Sequence, residues 1–456
     1  MQEREPNPRW LAGPAACWTG TGADADGGIV IEGNRIVELV PAGAEARTPG
    51  ARRESIAGLV LLPGLVNCHH HFYQTLTRAF PAAQQKELFE WLQALYPVWA
   101  GIDGEAVTVS TELALCELLL SGCTTAVDHH YLFSASSGDA IDRQVEAAAD
   151  LGARVVLTRG SMSLGSSRGG LPPDRVVQDE DAIVADCERL LARYHDPGDD
   201  ALCQVALAPC SPFSVSGELM TAVAALATER GALLHTHLGE TEDENRFCLE
   251  HYGKRPVDYL EATGWLRPGT WLAHGIHFTD AEIARLGAAR VAVSHCPSSN
   301  LFLGSGLCPV LDLEAAGCPV GIGVDGSASN DHSNLMEEVR QAMLVQRLRY
   351  GSAAVAATDA LRWGTAGGAA LLDRPALGRL AVGAVADLAL FDPAEDLRFS
   401  GAGDLVAALV TSGARRARHV MVDGRWRVRD YALEGVDLDA LRSRHAACAR
   451  RLQANA

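Results

Sequence analysis

The 456-residue chain predicts an α/β protein built on a (β/α)8 barrel of the TIM type, with a small β-sandwich made from its two ends. Three observations predict it. Short apolar runs alternate with amphipathic or alanine-rich stretches through the middle of the chain, the pattern of buried parallel strands and covering helices. The alternation spans a length that suits one barrel with insertions. Four of the runs end in polar motifs rich in histidine and aspartate, and barrel active sites are built where strands end.

The expected strands are Leu59 to Val66, Thr124 to Asp128, Ala153 to Arg159, Cys203 to Ala208, Ala232 to His237, Thr270 to His274, Arg290 to Ser294 and Val320 to Asp325. Helices are expected between them, among them Glu105 to Ser121, Asp139 to Leu151, Asp181 to Tyr194 and Glu218 to Arg230. The ends have a different texture. Gly27 to Glu38, Ala386 to Phe391 and His419 to Trp426 read as short strands bounded by Gly and Asp turns. Neither end holds enough strands for a stable sheet, so residues 1–58 and 375–456 are expected to pair into one composite sandwich with a C-terminal helix. Residues 59–374 then form the barrel. The segment Ser161 to Asp179, rich in Gly, Ser and Pro, is expected to be a long loop over the barrel mouth and a candidate lid. Its Gly169-Gly170 pair is no phosphate loop, because no Gly-Lys-Ser/Thr follows.

Composition narrows the function. A formal net charge of −18 argues against nucleic acid and favours a small-molecule substrate. No apolar run reaches the ~20 residues that a membrane helix needs. The opening Met1 to Arg9 is polar, unlike a signal peptide, so the chain is expected in the cytoplasm. The 12 cysteines include no Cys-x-x-Cys pair and read as reduced, mostly buried thiols. Cys68 and Cys296 adjoin candidate site residues but are expected to be apolar filler. Lys86 and Lys254 are the only lysines, and neither follows a strand.

The polar strand ends are Asn67-Cys68-His69-His70-His71, His235-Thr236-His237-Leu238-Gly239-Glu240, Ala273-His274-Gly275 and Val324-Asp325-Gly326. Residues i and i+2 of an extended segment share a face, so His69 and His71 can point inward together while His70 points away. His235 and His237 repeat that spacing, and spacing alone does not choose between them. Asp325 closes an apolar run where an unpaired carboxylate would be costly. Imidazoles plus a carboxylate are the ligands of a catalytic Zn²⁺ or Fe²⁺ that keeps a position open for water. The expected chemistry is metal-assisted hydrolysis.

Leu62-Pro63-Gly64-Leu65-Val66-Asn67-Cys68-His69-His70-His71 resembles the first-strand signature of the amidohydrolase superfamily. The later His-x-x-Glu, Ala-His and Val-Asp-Gly elements resemble it too, as does the tail from Gly378-Arg379-Leu380 to Ala386-Asp387-Leu388. Within the superfamily the chain is similar to the deaminase and chlorohydrolase branch, notably in His71 to Arg78, in Leu164-Gly165 to Pro172-Pro173-Asp174 and in Gly323 to Asp331. The resemblance implies His69, His71, His237 and Asp325 as metal ligands, Glu240 as proton shuttle, and His274 as a donor to the attacking water or the tetrahedral centre. His235 then stands behind the ligands or packs. Binuclear members carry a bridging lysine after the fourth strand; here that region reads Ala206-Leu207-Ala208-Pro209-Cys210. The resemblance therefore implies one metal per chain, Zn²⁺ with Fe²⁺ as the alternative, and a homo-oligomer.

The implied reaction is hydrolytic deamination of an oxidised purine, 8-oxoguanine to urate and ammonia. Guanine or another purine, or an s-triazine amino- or chlorohydrolase, uses nearly the same metal set. A barrel that lost its chemistry and serves as scaffold is the alternative from another class. Asp325 would take the water's proton and pass it to ammonia while Glu240 protonates the ring nitrogen. Gln74, one turn beyond His71, is a candidate substrate contact because its amide both donates and accepts. Trp91 or Trp99 could stack on a ring, although a buried structural role is expected of both. Asp128, His129 and His130 end the second strand and are expected to be scaffold. His332 has no assigned role, and Ser294 to Asn300 resembles a family loop bordering the pocket.

Overall fold

The computed structural model describes residues 7–134, 136–414 and 416–454, so most of the polar opening segment lies outside the described residues. Eight parallel strands close into a barrel: β1 (Leu65–Asn67), β2 (Cys123–His130), β3 (Arg154–Ser161), β4 (Cys203–Pro209), β5 (Leu234–Leu238), β6 (Thr270–His274), β7 (Ala292–His295) and β8 (Val320–Ile322). Each pairs with its neighbours in chain order, and β8 closes on β1 through Ile322 and Asn67. Nearly every strand residue is buried, which accounts for their unbroken apolar runs.

The expected first strand proves to be two. Val60–Pro63 joins a terminal sheet, and the chain turns at Gly64 to enter the barrel as β1. A Cβ at Gly64 would lie 2.1 Å from Thr124 Oγ1, so glycine is required where the strand changes sheets. That six-stranded sheet runs Ala432–Leu433, Arg425–Arg429, His419–Val422, Leu388–Phe391, Val60–Pro63, Ala16–Cys17, mixing both ends of the chain. A four-stranded sheet of Arg35–Val40, Gly28–Glu32, Arg9–Ala12 and Arg52–Ser55 accompanies it. Leu11, Ile29, Ile36, Leu61, Leu388 and Met421 form the shared core.

A buried ion pair joins the two parts. Arg154, at the start of β3, donates from Nε to Asp387 Oδ2 at 3.0 Å and from Nη2 to Oδ1 at 3.1 Å. The Asp387 of the tail motif is thus a structural anchor; breaking such a buried pair costs about 3–5 kcal/mol.

Helix α1 (Leu88–Trp99) lies at the barrel mouth, and α2 (Gly104–Leu120) leads on from it to β2, capped by Asp103, whose carboxylate accepts the Ala106 N–H. The C-terminal helix Leu438–Ala454 lies on α2 rather than on the sheets. Arg451 reaches Asp103 and Glu105, and Arg444 reaches Glu112. Among the described residues no helix is long and apolar enough to cross a membrane.

Candidate active site

Beyond β1 the chain stays extended through His71 (φ −129°, ψ 90°), and the two-residue period takes effect. His69 and His71 turn toward the barrel axis. His70 turns away, its Nε2 2.8 Å from Ser333 Oγ and its ring against Phe72. His237 points inward from β5, and His235 lies two residues deeper on the same face. His274 closes β6, and Asp325 lies three residues past β8. Both have left-handed backbone, φ 73° and φ 60°. Non-glycine residues in strained backbone regions cost of order 1–3 kcal/mol each and persist where neighbours hold them. Asp325 is held: its N–H donates to the His69 carbonyl at 3.0 Å, and its Oδ1 accepts the Gly326 N–H at 2.7 Å.

The ring nitrogens show what these groups can do together. His71 Nδ1 is 2.7 Å from the His129 carbonyl oxygen, and His237 Nδ1 is 2.7 Å from that of Cys210. A carbonyl only accepts, so both Nδ1 atoms carry a proton, and Nε2 of each ring is the atom left to offer a lone pair. Those two Nε2 atoms face each other at 3.2 Å. Asp325 Oδ1 stands 3.2 Å from His71 Nε2 and 3.3 Å from His69 Nε2, and His69 Nε2 is buried without a hydrogen bond. Burial also holds the His69 and His237 imidazoles well below their ordinary range, hence neutral. Electron pairs converging with nothing to share suit a divalent cation, and the N₃O donor set suits Zn²⁺ or Fe²⁺.

His129 stands closer to this centre than its expected scaffold role implied. It belongs to a group with His69, His71 and His237 whose nitrogens lie within 4.8 Å of one another. Its ring stacks on His237, centroids 4.7 Å apart, and its Nε2 donates to the Ala208 carbonyl at 3.0 Å. Asp128 is scaffold as expected. It accepts the Phe72 N–H and the Gln144 amide, each at 2.6 Å, fixing the turn after His71. The ring of His130 meets Tyr73 and Phe133 edge-on.

Glu240 and His274 flank the centre. His274 Nε2 is 3.5 Å from Glu240 Oε2 and 3.8 Å from Asp325 Oδ2, and its Nδ1 is 2.8 Å from Asn300 Oδ1. Burial, then the nearby Asp325 charge, raises the Glu240 carboxyl well above its ordinary range, which favours its protonated form. Its backbone N–H donates to Glu244 Oε2 at 3.0 Å.

Above the centre is a cavity of about 380 Å³ that His71, Gln74, Glu240, His274 and Asp325 help to line. Gln74 Oε1 accepts the Ala328 N–H at 3.4 Å, and a Cβ at Gly326 would collide with it at 1.9 Å. The two tryptophans differ. Trp91 lines the cavity, whereas Trp99 donates from Nε1 to Thr77 Oγ1 at 3.1 Å in the core.

The wall facing the centre comes from α1, through Leu88, Trp91, Leu92 and Tyr96. Of these the sequence singled out only Trp91, although the i, i+3, i+4, i+8 spacing is the apolar face of a helix. The expected lid, 161–179, contributes no lining residue. Ser163 and Leu164 donate to the Ser214 carbonyl, and Leu171 to that of Phe213. The segment supports the Phe213 loop, which does line the cavity. Cys68 is filler as expected, wedged between Gly321 and Gly368; Cys296 is buried with its thiol near Ser294, and neither lines the cavity. Cys210 does line it, a contact no motif announced. His332 pairs with Glu337 at 3.4 Å, outside the cavity.

The chain is also similar to known proteins. The profile of the amidohydrolase family matches residues 60–427. The chain is 56% identical over 443 residues to 8-oxoguanine deaminase of Pseudomonas aeruginosa, covering 97% of this chain and 98% of that one. It is 41% identical over 360 residues to hydroxydechloroatrazine ethylaminohydrolase of Pseudomonas sp. strain ADP, covering 78% and 74%. Among solved structures, atrazine chlorohydrolase from Arthrobacter aurescens TC1 complexed with zinc superposes with a TM-score of 0.90 at 32% identity, over 96% of this chain and 99% of that one.

Proposed function

The chain belongs to the amidohydrolase family, and on that premise we propose that it deaminates 8-oxoguanine hydrolytically, releasing urate and ammonia. The observation that carries this reading is its likeness to an 8-oxoguanine deaminase over nearly the full length of both chains. The lining of the cavity supports it, since Gln74, Glu240 and His274 stand there among apolar side chains from α1. The family is metal-dependent. Our reading is one Zn²⁺ per chain, with Fe²⁺ the alternative, held by His69, His71, His237 and Asp325, whose donor atoms face one another. The chemistry such an ion supplies is water acidic enough to act as a nucleophile near neutral pH.

The chain's own residues handle the protons. Glu240, whose burial favours the protonated carboxyl, gives its proton to the ring nitrogen beside C2, so negative charge does not build up on the ring. Asp325 takes one proton of the attacking water and delivers it to the departing amine, which leaves as ammonia. The water's second proton returns to Glu240 as the new carbonyl forms. Atoms and charge then balance, and both carboxyl groups end as they began. His274, within 4 Å of both carboxylates, orients the attacked centre. Gln74 is our candidate for reading a polar ring edge, its amide pinned by Gly326 and Ala328. All 12 cysteines are free thiols, in keeping with a cytoplasmic setting.

The test is ammonia release by the zinc-loaded chain on 8-oxoguanine, guanine and an amino-s-triazine under one set of conditions. Preference for 8-oxoguanine is expected. Turnover of the triazine alone would overturn the substrate while leaving the hydrolytic chemistry in place.

A further inference from the structure

Three imidazoles point Nε2 at the centre, but their other nitrogens are not held alike. His71 and His237 donate from Nδ1 to backbone carbonyls. His69 has no such partner. Its Nδ1 lies 2.8 Å from Nε2 of another histidine, His235. Two ring nitrogens at that distance share one proton, and which ring owns it decides whether His69 can bind a metal.

The next contact decides it. His235 Nδ1 is 3.0 Å from the Trp271 carbonyl oxygen, across the β5–β6 register in which these two residues are directly paired. That carbonyl can only accept, so Nδ1 of His235 carries a proton. The neutral His235 ring is then left with a lone pair at Nε2, and the proton between the rings belongs to His69 Nδ1. His69 Nε2 is thereby left as a lone pair toward Asp325 and the other two imidazoles. The relay is braced. The His235 ring stacks on the Trp271 indole, centroids 4.3 Å apart and planes within 13°, and the indole N–H donates to the carbonyl of Cys68, the residue before His69. Reversing the His235 tautomer would break the bond to Trp271 and place a proton on the very atom of His69 that faces the centre.

We propose that His235 is a positioning residue that makes His69 a metal ligand, by accepting the His69 Nδ1 proton through a relay anchored on the Trp271 carbonyl. The role rests on the metal centre proposed above. It sets His235 apart from a packing residue, which any ring of the same shape could replace. Partners of this kind typically set metal affinity by about 10–100-fold.

The experiment compares the full-length chain with His235→Phe, which keeps the stacking shape but cannot accept, and His235→Gln, which keeps an acceptor. Co²⁺ affinity is measured by chelator competition, and solvent-exchangeable imidazole N–H resonances are counted in the Co²⁺-loaded proteins. We expect three shifted N–H resonances in the parent chain. His235→Phe should bind Co²⁺ about 10–100-fold more weakly and lose one resonance, and His235→Gln should recover part of the affinity. Equal affinity and an unchanged resonance count in His235→Phe would overturn the relay and leave the metal centre standing. A parent chain that takes up no Co²⁺ would overturn both. Should His235→Phe fail to fold, fewer than three exchangeable resonances in the parent chain would refute the relay without it.

Discussion

The barrel carries two His-x-His pairs with identical spacing, and they do different work. His69 and His71 lie past the end of β1, where the chain has left the sheet, and both rings reach the centre. His235 and His237 lie inside β5, where two residues along the strand is a step of about 6.6 Å into the barrel. His237 reaches the centre, whereas His235 is one layer below and meets the back of His69. The two-residue period tells which face a side chain takes and is silent on how deep it stands. Depth depends on where the strand stops, and hydrogen bonding rather than hydrophobicity sets that.

The sharpest way to break this comparison is to remove the upper member of the second pair. His237→Ala should lose both metal and activity, with metal content falling from one per chain to near zero by elemental analysis. A tightly held metal in that variant would mean the two pairs had been assigned the wrong way round. Glu240→Gln, three residues on, should keep the metal and lower kcat by about 10²–10⁴-fold, the usual worth of a positioned proton donor. Full turnover with unchanged metal would take Glu240 out of the chemistry. The smallest effect concerns the support beneath Glu240. Burial lifts the Glu244 carboxyl to about 8, so it keeps its proton in the folded chain while an unfolded Glu loses its own near 4.3. The folded state then binds the extra proton, and this contribution to stability is fully present below about pH 4.3 and lost as pH rises to about 8. Glu244→Gln should flatten the decline of Tm across that window; an unaltered slope would show that Glu244 does not hold its proton there.

Much of this was legible in advance because barrel strands are buried on both faces and advertise themselves as apolar runs. Thr270–His274 matches its expected strand residue for residue. Where the reading failed, the cause was tertiary. Nothing in Leu59 to Val66 signals two strands except Gly64, and its meaning appears only when Thr124 is seen against it. The four candidate ligands share motifs and could be named from them. The cavity wall on α1 was legible only at Trp91, because Leu88, Leu92 and Tyr96 look like any core-facing helix residues until the helix is placed over the barrel mouth. The loop 161–179 had the composition of a lid, yet composition records only freedom to bend, and its bonds to the Phe213 loop make it a buttress.

The helix Leu438–Ala454 has a bearing on how the site is put together. Through Gln453 it caps the Leu76 carbonyl at 2.7 Å, and through His445 it meets Thr75 Oγ1 at 3.0 Å, bracing the turn that begins after His71 and carries Gln74. The first ligand motif is thus braced by residues that lie 370 and 377 positions further along the chain. A chain without that helix would hold every candidate metal ligand and still lack the brace on the turn that carries Gln74. Docking of the helix is in that sense a step in assembling the site.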